Sequence, residues 1–152
     1  MPAYFFDSSA IVKFYVAESG TPWVRAFTDS EDNIIQVSGL AKVETVSALT
    51  RRLRRSDITQ AEFNDACDDL LQDFATQYRI VALTEAIIED AATLAQKHGL
   101  RAYDAVQLAV ALDTSRVVWQ VDSTGMTLVS GDLELNAAAA AEGLKVEDPN
   151  TH

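Results

Sequence analysis

Apolar positions along the chain switch repeatedly between a short continuous run and a spacing of three or four residues, the pattern of strands alternating with helices. The run Ala3-Tyr4-Phe5-Phe6 predicts a buried strand that ends on Asp7, and Ser8 or Ser9 is placed to cap a helix from Ser8 to about Glu18 whose apolar face starts at Ile11 and Val12. Gly20-Thr21-Pro22 breaks it, with Thr21 as cap and Pro22 in the first turn of a second helix to about Asp29. Residues 34–37 predict a strand, Leu40 to about Arg55 a long helix, and Thr59 the cap of a helix carrying Phe63, Leu70, Leu71 and Phe74. A strand is expected over 79–83, a helix from Thr84-Glu85 to the natural stop at Gly99, and an apolar helix over Asp104–Leu112. Residues 117–121 and 126–129 read as two further strands around Asp122-Ser123-Thr124-Gly125, the second in the core and the first peripheral. An alanine-rich helix over 132–142 and a short strand over 144–146 close the pattern. Such alternation is α/β class, and 152 residues without repeat or linker make one domain over 1–152.

Composition narrows the function. No apolar run reaches the roughly 18 residues of a membrane span, and no basic, apolar and small-residue leader pattern opens the chain, so a cytoplasmic protein with no membrane partner is expected. A single cysteine, Cys67, rules out an internal disulfide or a cysteine-based zinc site. The net charge of −11 argues against non-specific coating of nucleic acid. It leaves room for a nuclease whose acids hold metal and whose basic patch holds substrate.

Four of the 23 acids stand apart by position. Asp7 ends the first strand, Glu44 lies at the edge of a helix's apolar face, Asp104 opens an apolar helix, and Asp132 follows the strand-end sequence Val129-Ser130-Gly131. Taken singly, Asp132 suits an N-cap, Asp104 a first-turn charge and Glu44 a solvated edge. Gathered together, they would repel one another unless a divalent cation neutralised them, and oxygen-only ligation suits Mg²⁺ or Mn²⁺.

The segments Asp7-Ser8-Ser9-Ala10-Ile11-Val12-Lys13, helical Glu44, Tyr103-Asp104-Ala105-Val106-Gln107-Leu108-Ala109 and Val129-Ser130-Gly131-Asp132 resemble the PIN-domain nucleases. In size and order, the chain is similar to the VapC-type toxins of bacterial and archaeal toxin–antitoxin systems. The resemblance implies a PIN-like three-layer α/β/α sandwich around a mostly parallel sheet of about five strands. It implies a Mg²⁺- or Mn²⁺-dependent endoribonuclease with Asp7, Glu44, Asp104 and Asp132 as catalytic metal ligands and Ser9 and Ser130 as supporting hydroxyls. RNA substrate, a cognate antitoxin and a homodimer are its implied partners. A PIN-like binding or scaffold protein with weak catalysis is the alternative.

Substrate grip is expected from Arg51, Arg55 and Lys13. By helical geometry Arg51 and Arg55 fall near the stripe of Glu44, with Arg51 roughly 10 Å along the axis. The same arginines equally suit a helix C-terminus or an antitoxin contact. Rival acid-site folds fail on a residue: a haloacid-dehalogenase-type phosphatase needs an acid where Ser9 stands, a receiver domain needs one in Ala82-Leu83-Thr84, and an adhesion-type metal site needs serine at Ile11.

Overall fold

In the computed structural model, which describes residues 2–152, five parallel strands form one sheet in the order β3-β2-β1-β4-β5. The strands are β1 (Ala3–Phe6), β2 (Ile34–Ser38), β3 (Arg79–Val81), β4 (Met126–Val129) and β5 (Lys145–Glu147). The helices are α1 (Ser8–Tyr15), α2 (Thr21–Arg25), α3 (Gly39–Arg54), α4 (Gln60–Thr76), α5 (Glu85–His98), α6 (Ala102–Val121) and α7 (Leu133–Ala141), with short 3₁₀ turns at Ala26–Asp29 and Pro149–Thr151.

The chain leaves β1 toward β2 and β3, then returns to the other side of β1 for β4 and β5. The order therefore reverses between β1 and β4, and at such a point the loops leaving the two strand ends diverge and open a crevice. β1 is buried on both faces because alternate side chains enter different cores. Phe5 joins Leu128, Leu108 and Leu135 under α5, α6 and α7, while Phe6 joins Val37, Leu49, Leu70 and Val129 under α1 to α4. This is the three-layer sandwich expected. The two edge strands are only three residues long and carry Arg79, Lys145 and Glu147, which blunts them against pairing with other chains.

Several local expectations change. The N-cap of α1 is Asp7 and neither serine: its carboxylate accepts from the Ser9 amide. α1 ends at Tyr15, because Val16 turns extended and the Thr21 hydroxyl donates to its carbonyl. α2 is correspondingly capped by Gly20 in the left-handed region, with φ +82°, and passes into 3₁₀ at Ala26. The clearest correction is at 117–121, which is the end of the 20-residue helix α6 and no strand. Both sides of β4 are already paired, by β1 and β5, so no place beside it remains for another strand. Helix hydrogen bonding then carries Val117, Val118 and Val121 at a propensity cost of a few tenths of a kcal/mol each. That final turn reaches into solvent, with Val121 89% exposed.

Candidate active site

Asp7 sits at the C-terminal end of the central strand, 2% exposed. Its Oδ2 accepts from the Ser9 amide at 3.2 Å and the Ser9 hydroxyl at 2.6 Å. Its Oδ1 accepts from Gln107 Nε2 at 3.3 Å. Gln107 is fully buried in α6, and its Oε1 accepts from the hydroxyl of Ser38 at the end of β2. A hydrogen-bond relay thus runs from β2 through α6 to β1, fixing the plane of the Asp7 carboxylate. Buried polar groups this well satisfied hold one orientation.

The neighbouring turn is tied to the same carboxylate. Ser130 Oγ lies 3.5 Å from Asp7 Oδ2 and 3.3 Å from the Ser9 hydroxyl, and it accepts from the Asp132 amide at 3.1 Å. The Gly131 amide donates to Ser9 Oγ at 2.9 Å. Asp132 caps α7 by accepting from the Leu135 amide at 2.9 Å. The two serines therefore stitch the ends of β1 and β4 together across the reversal in strand order.

Asp7, Ser9 and Asp132 line one open cleft of about 280 Å³, together with Glu44, Ala48, Arg51, Arg52, Arg101, Tyr103 and Asp104. All four acids singled out by position reach it: Asp7 from β1, Glu44 from α3, Asp104 from the first turn of α6 and Asp132 from the cap of α7. Burial pushes the Asp104 carboxyl up to about 6, reinforced by the charges of Asp132 and Asp7 and opposed by Arg101. Burial also raises the Tyr103 phenol well above its ordinary range, and the Asp7 charge adds to it. Hydrogen bonding to Ser8 partly offsets that rise, and the Tyr103 hydroxyl is buried in the cleft wall.

The basic residues divide. Arg51 lines the cleft and pairs with Glu44 at 3.5 Å, half exposed, so the pair is worth only about 0.2–1 kcal/mol. Arg55 is the exposed C-cap of α3, about 16 Å along the axis from Glu44, and lines no part of the cleft. Lys13 is buried, with its ammonium on Glu18 at 3.1 Å and the Ser19 carbonyl at 2.7 Å, so it faces the α1–α2 corner and not the cleft. Arg52, Arg101, Tyr103 and Gln107 were not singled out by position or spacing. Gln107 left a trace, as the one polar residue in the run Ala105–Val110. Arg52 stood in the cluster Arg51, Arg52, Arg54 and Arg55, but helical geometry sets it about 80° around α3 from Glu44, off the stripe that points to Arg51 and Arg55.

The donor set is entirely oxygen, from the carboxylates of Asp7, Glu44, Asp104 and Asp132. No three His, Cys, Asp or Glu side chains among the described residues are already gathered closely enough to hold an ion by protein atoms alone. Carboxylate oxygens suit a hard divalent ion such as Mg²⁺ or Mn²⁺, and among the described residues the cleft is lined by none of the histidines or cysteines that zinc favours.

Comparison with known proteins agrees with the geometry. Residues 4–141 match the PIN domain family. The chain is 36% identical over 146 residues to Ribonuclease VapC45 and to Ribonuclease VapC49, both of Mycobacterium tuberculosis, an alignment that covers 96% of this chain and 95% of each relative. Among solved structures, it resembles FitAB bound to an IR36 DNA fragment, with TM-score 0.65 and 19% identity over 96% of this chain and 94% of that one. It also resembles VapC20 of Mycobacterium tuberculosis, a sarcin–ricin loop cleaving toxin, with TM-score 0.65 and 16% identity over 93% and 95% of the two chains. The chain belongs to the PIN-domain family and is a relative of the VapC ribonucleases.

Proposed function

We propose that this protein is a divalent-metal-dependent endoribonuclease that hydrolyses RNA phosphodiester bonds, acting as the toxin of a toxin–antitoxin pair. The observation that carries the reading is the convergence of four carboxylates from four separate elements on one cleft at the reversal of strand order. Asp7, Glu44, Asp104 and Asp132 would hold Mg²⁺ or Mn²⁺. A bound ion of this kind lowers the pKa of its water and neutralises charge developing on a phosphate.

The remaining work falls to the chain's own groups. Ser9 and Gln107 hold the two oxygens of Asp7 from opposite sides, so this carboxylate does not reorient when substrate arrives. Ser130 keeps the amide of Asp132 turned inward and the end of β4 close to β1. No nucleophilic side chain is needed, and among the described residues neither histidine nor cysteine lines the cleft.

The relatives support the biological role. The two 36% identical proteins are ribonucleases, and similar folds have been solved as FitAB and as VapBC2 of Rickettsia felis, the latter on a promoter DNA fragment. A cognate antitoxin, self-association as a homodimer and action in the cytoplasm belong to the same reading. No described helix is long and apolar enough to cross a membrane.

The test is cleavage of a mixed RNA pool by antitoxin-free protein in Mg²⁺, Mn²⁺ or EDTA. Metal-dependent cutting that Asp7→Asn lowers at least about 100-fold is expected. Absence of cutting by folded protein in either metal would turn the reading toward a PIN-like binding partner.

A further inference from the structure

Glu18 lies in the turn between α1 and α2, outside the acidic cleft, and joins two cations. It accepts from Lys13 Nζ at 3.1 Å, and from Arg52 through Nε at 3.3 Å and Nη2 at 3.1 Å. Arg52 Nη1 donates to the Ala48 carbonyl at 3.2 Å. Nη2 also donates to Glu18 Oε1 at 3.4 Å, so of the five guanidinium hydrogens one, on Nη1, is uncommitted. Lys13 is 4% exposed and stays with the corner, whereas Arg52 is a quarter exposed and lines the cleft. Two cations on one carboxylate leave one net positive charge (+2 − 1 = +1), delivered at the wall of a cleft that four acids make negative. A pair serving only to tie the corner to α3 would need one cation.

We infer that Arg52 contacts an RNA backbone phosphate and that Glu18, backed by Lys13, is the positioning residue that holds its guanidinium at the cleft. The inference rests on the endoribonuclease reading. An unrestrained arginine gives up rotamer freedom when it grips a phosphate, and the two-armed bond to Glu18 removes most of that cost in advance. Arg51 has a looser hold: it is half exposed, donates to the Ser47 hydroxyl at 2.9 Å one turn away on its own helix, and leans on Glu44, a carboxylate the metal would claim.

The experiment measures binding of a fluorescent single-stranded RNA by anisotropy over a salt series, with every variant built on Asp7→Asn so that cleavage does not intrude. Arg52→Gln is expected to weaken binding about 10-fold and to reduce the salt slope by about one. Arg52→Lys keeps the slope but binds several-fold weaker, since the charge remains and the fork is gone. Glu18→Gln weakens binding about 3-fold at unchanged slope, and Glu18→Gln with Arg52→Gln is no worse than Arg52→Gln alone. Unchanged affinity in Arg52→Gln, full additivity in the double variant, or losses that follow the melting temperature in all variants would overturn the inference. Cleavage by the wild-type protein, run beside it, reports separately on the nuclease reading.

Discussion

The carboxylate of Asp7 does two jobs, capping α1 through the Ser9 amide and facing the cleft, and both follow from its place one residue past β1. Its position was legible because an apolar run ending on an acid is an unusual strand end. The same holds for Asp132 after Val129-Ser130-Gly131. Arg52 and Tyr103 were not legible, because each enters the cleft through contacts between elements distant in sequence. Lys13 misled for the opposite reason: its place beside the Asp7 motif is real, but the α1–α2 corner captures its ammonium. Asp104 gives a prediction at this scale. Its folded carboxyl, at about 6, lies above the ordinary carboxylate value of 3.8, so the folded state binds the extra proton between those pH values. This group's stabilisation is complete below the lower value and is lost as pH rises through about 6. In EDTA, Asp104→Asn should therefore be more stable than wild type near neutral pH, by about 1 kcal/mol after allowing for solvent screening. The gain should fade toward pH 4 in chemical denaturation; a gain that grows on acidification would contradict the assignment.

At the scale of elements, the periodic segments were readable and their junctions were not. α4 with its Thr59–Glu62 capping box, and α5 between Thr84 and Gly99, follow directly from local signals. α6 does not, since Val117-Val118-Trp119 favours a strand locally and only the paired flanks of β4 exclude one. The corner after α1 is another tertiary matter. Gly20 has φ +82°, and a Cβ there would stand 2.3 Å from the Pro149 carbonyl oxygen of the C-terminal turn. Gly20→Ala should thus cost about 2 kcal/mol or more, from backbone strain and displacement of that turn. Urea denaturation of the variant measures it, and a loss below about 0.5 kcal/mol would mean the C-terminal turn is not held against α2.

For the whole molecule, the alternation of periods was enough for the α/β class and the resemblance supplied the order of layers. The site follows from topology: β1 is central, the order reverses between β1 and β4, and both strands end on acid-bearing turns. Glu44 and Asp104 complete it from α3 and α6, which pack on opposite faces of the sheet. The central claim is that these four carboxylates form one divalent-cation site. Titration calorimetry of Mn²⁺ into the wild-type protein and into Asp7→Asn, Glu44→Gln, Asp104→Asn and Asp132→Asn tests it without reference to RNA. Saturable binding by the wild type, weakened at least about 10-fold in Asp7→Asn and Asp104→Asn and to a lesser extent in the other two, is the predicted result. Wild-type affinity retained in all four variants, or no saturable binding by the wild type, would contradict it.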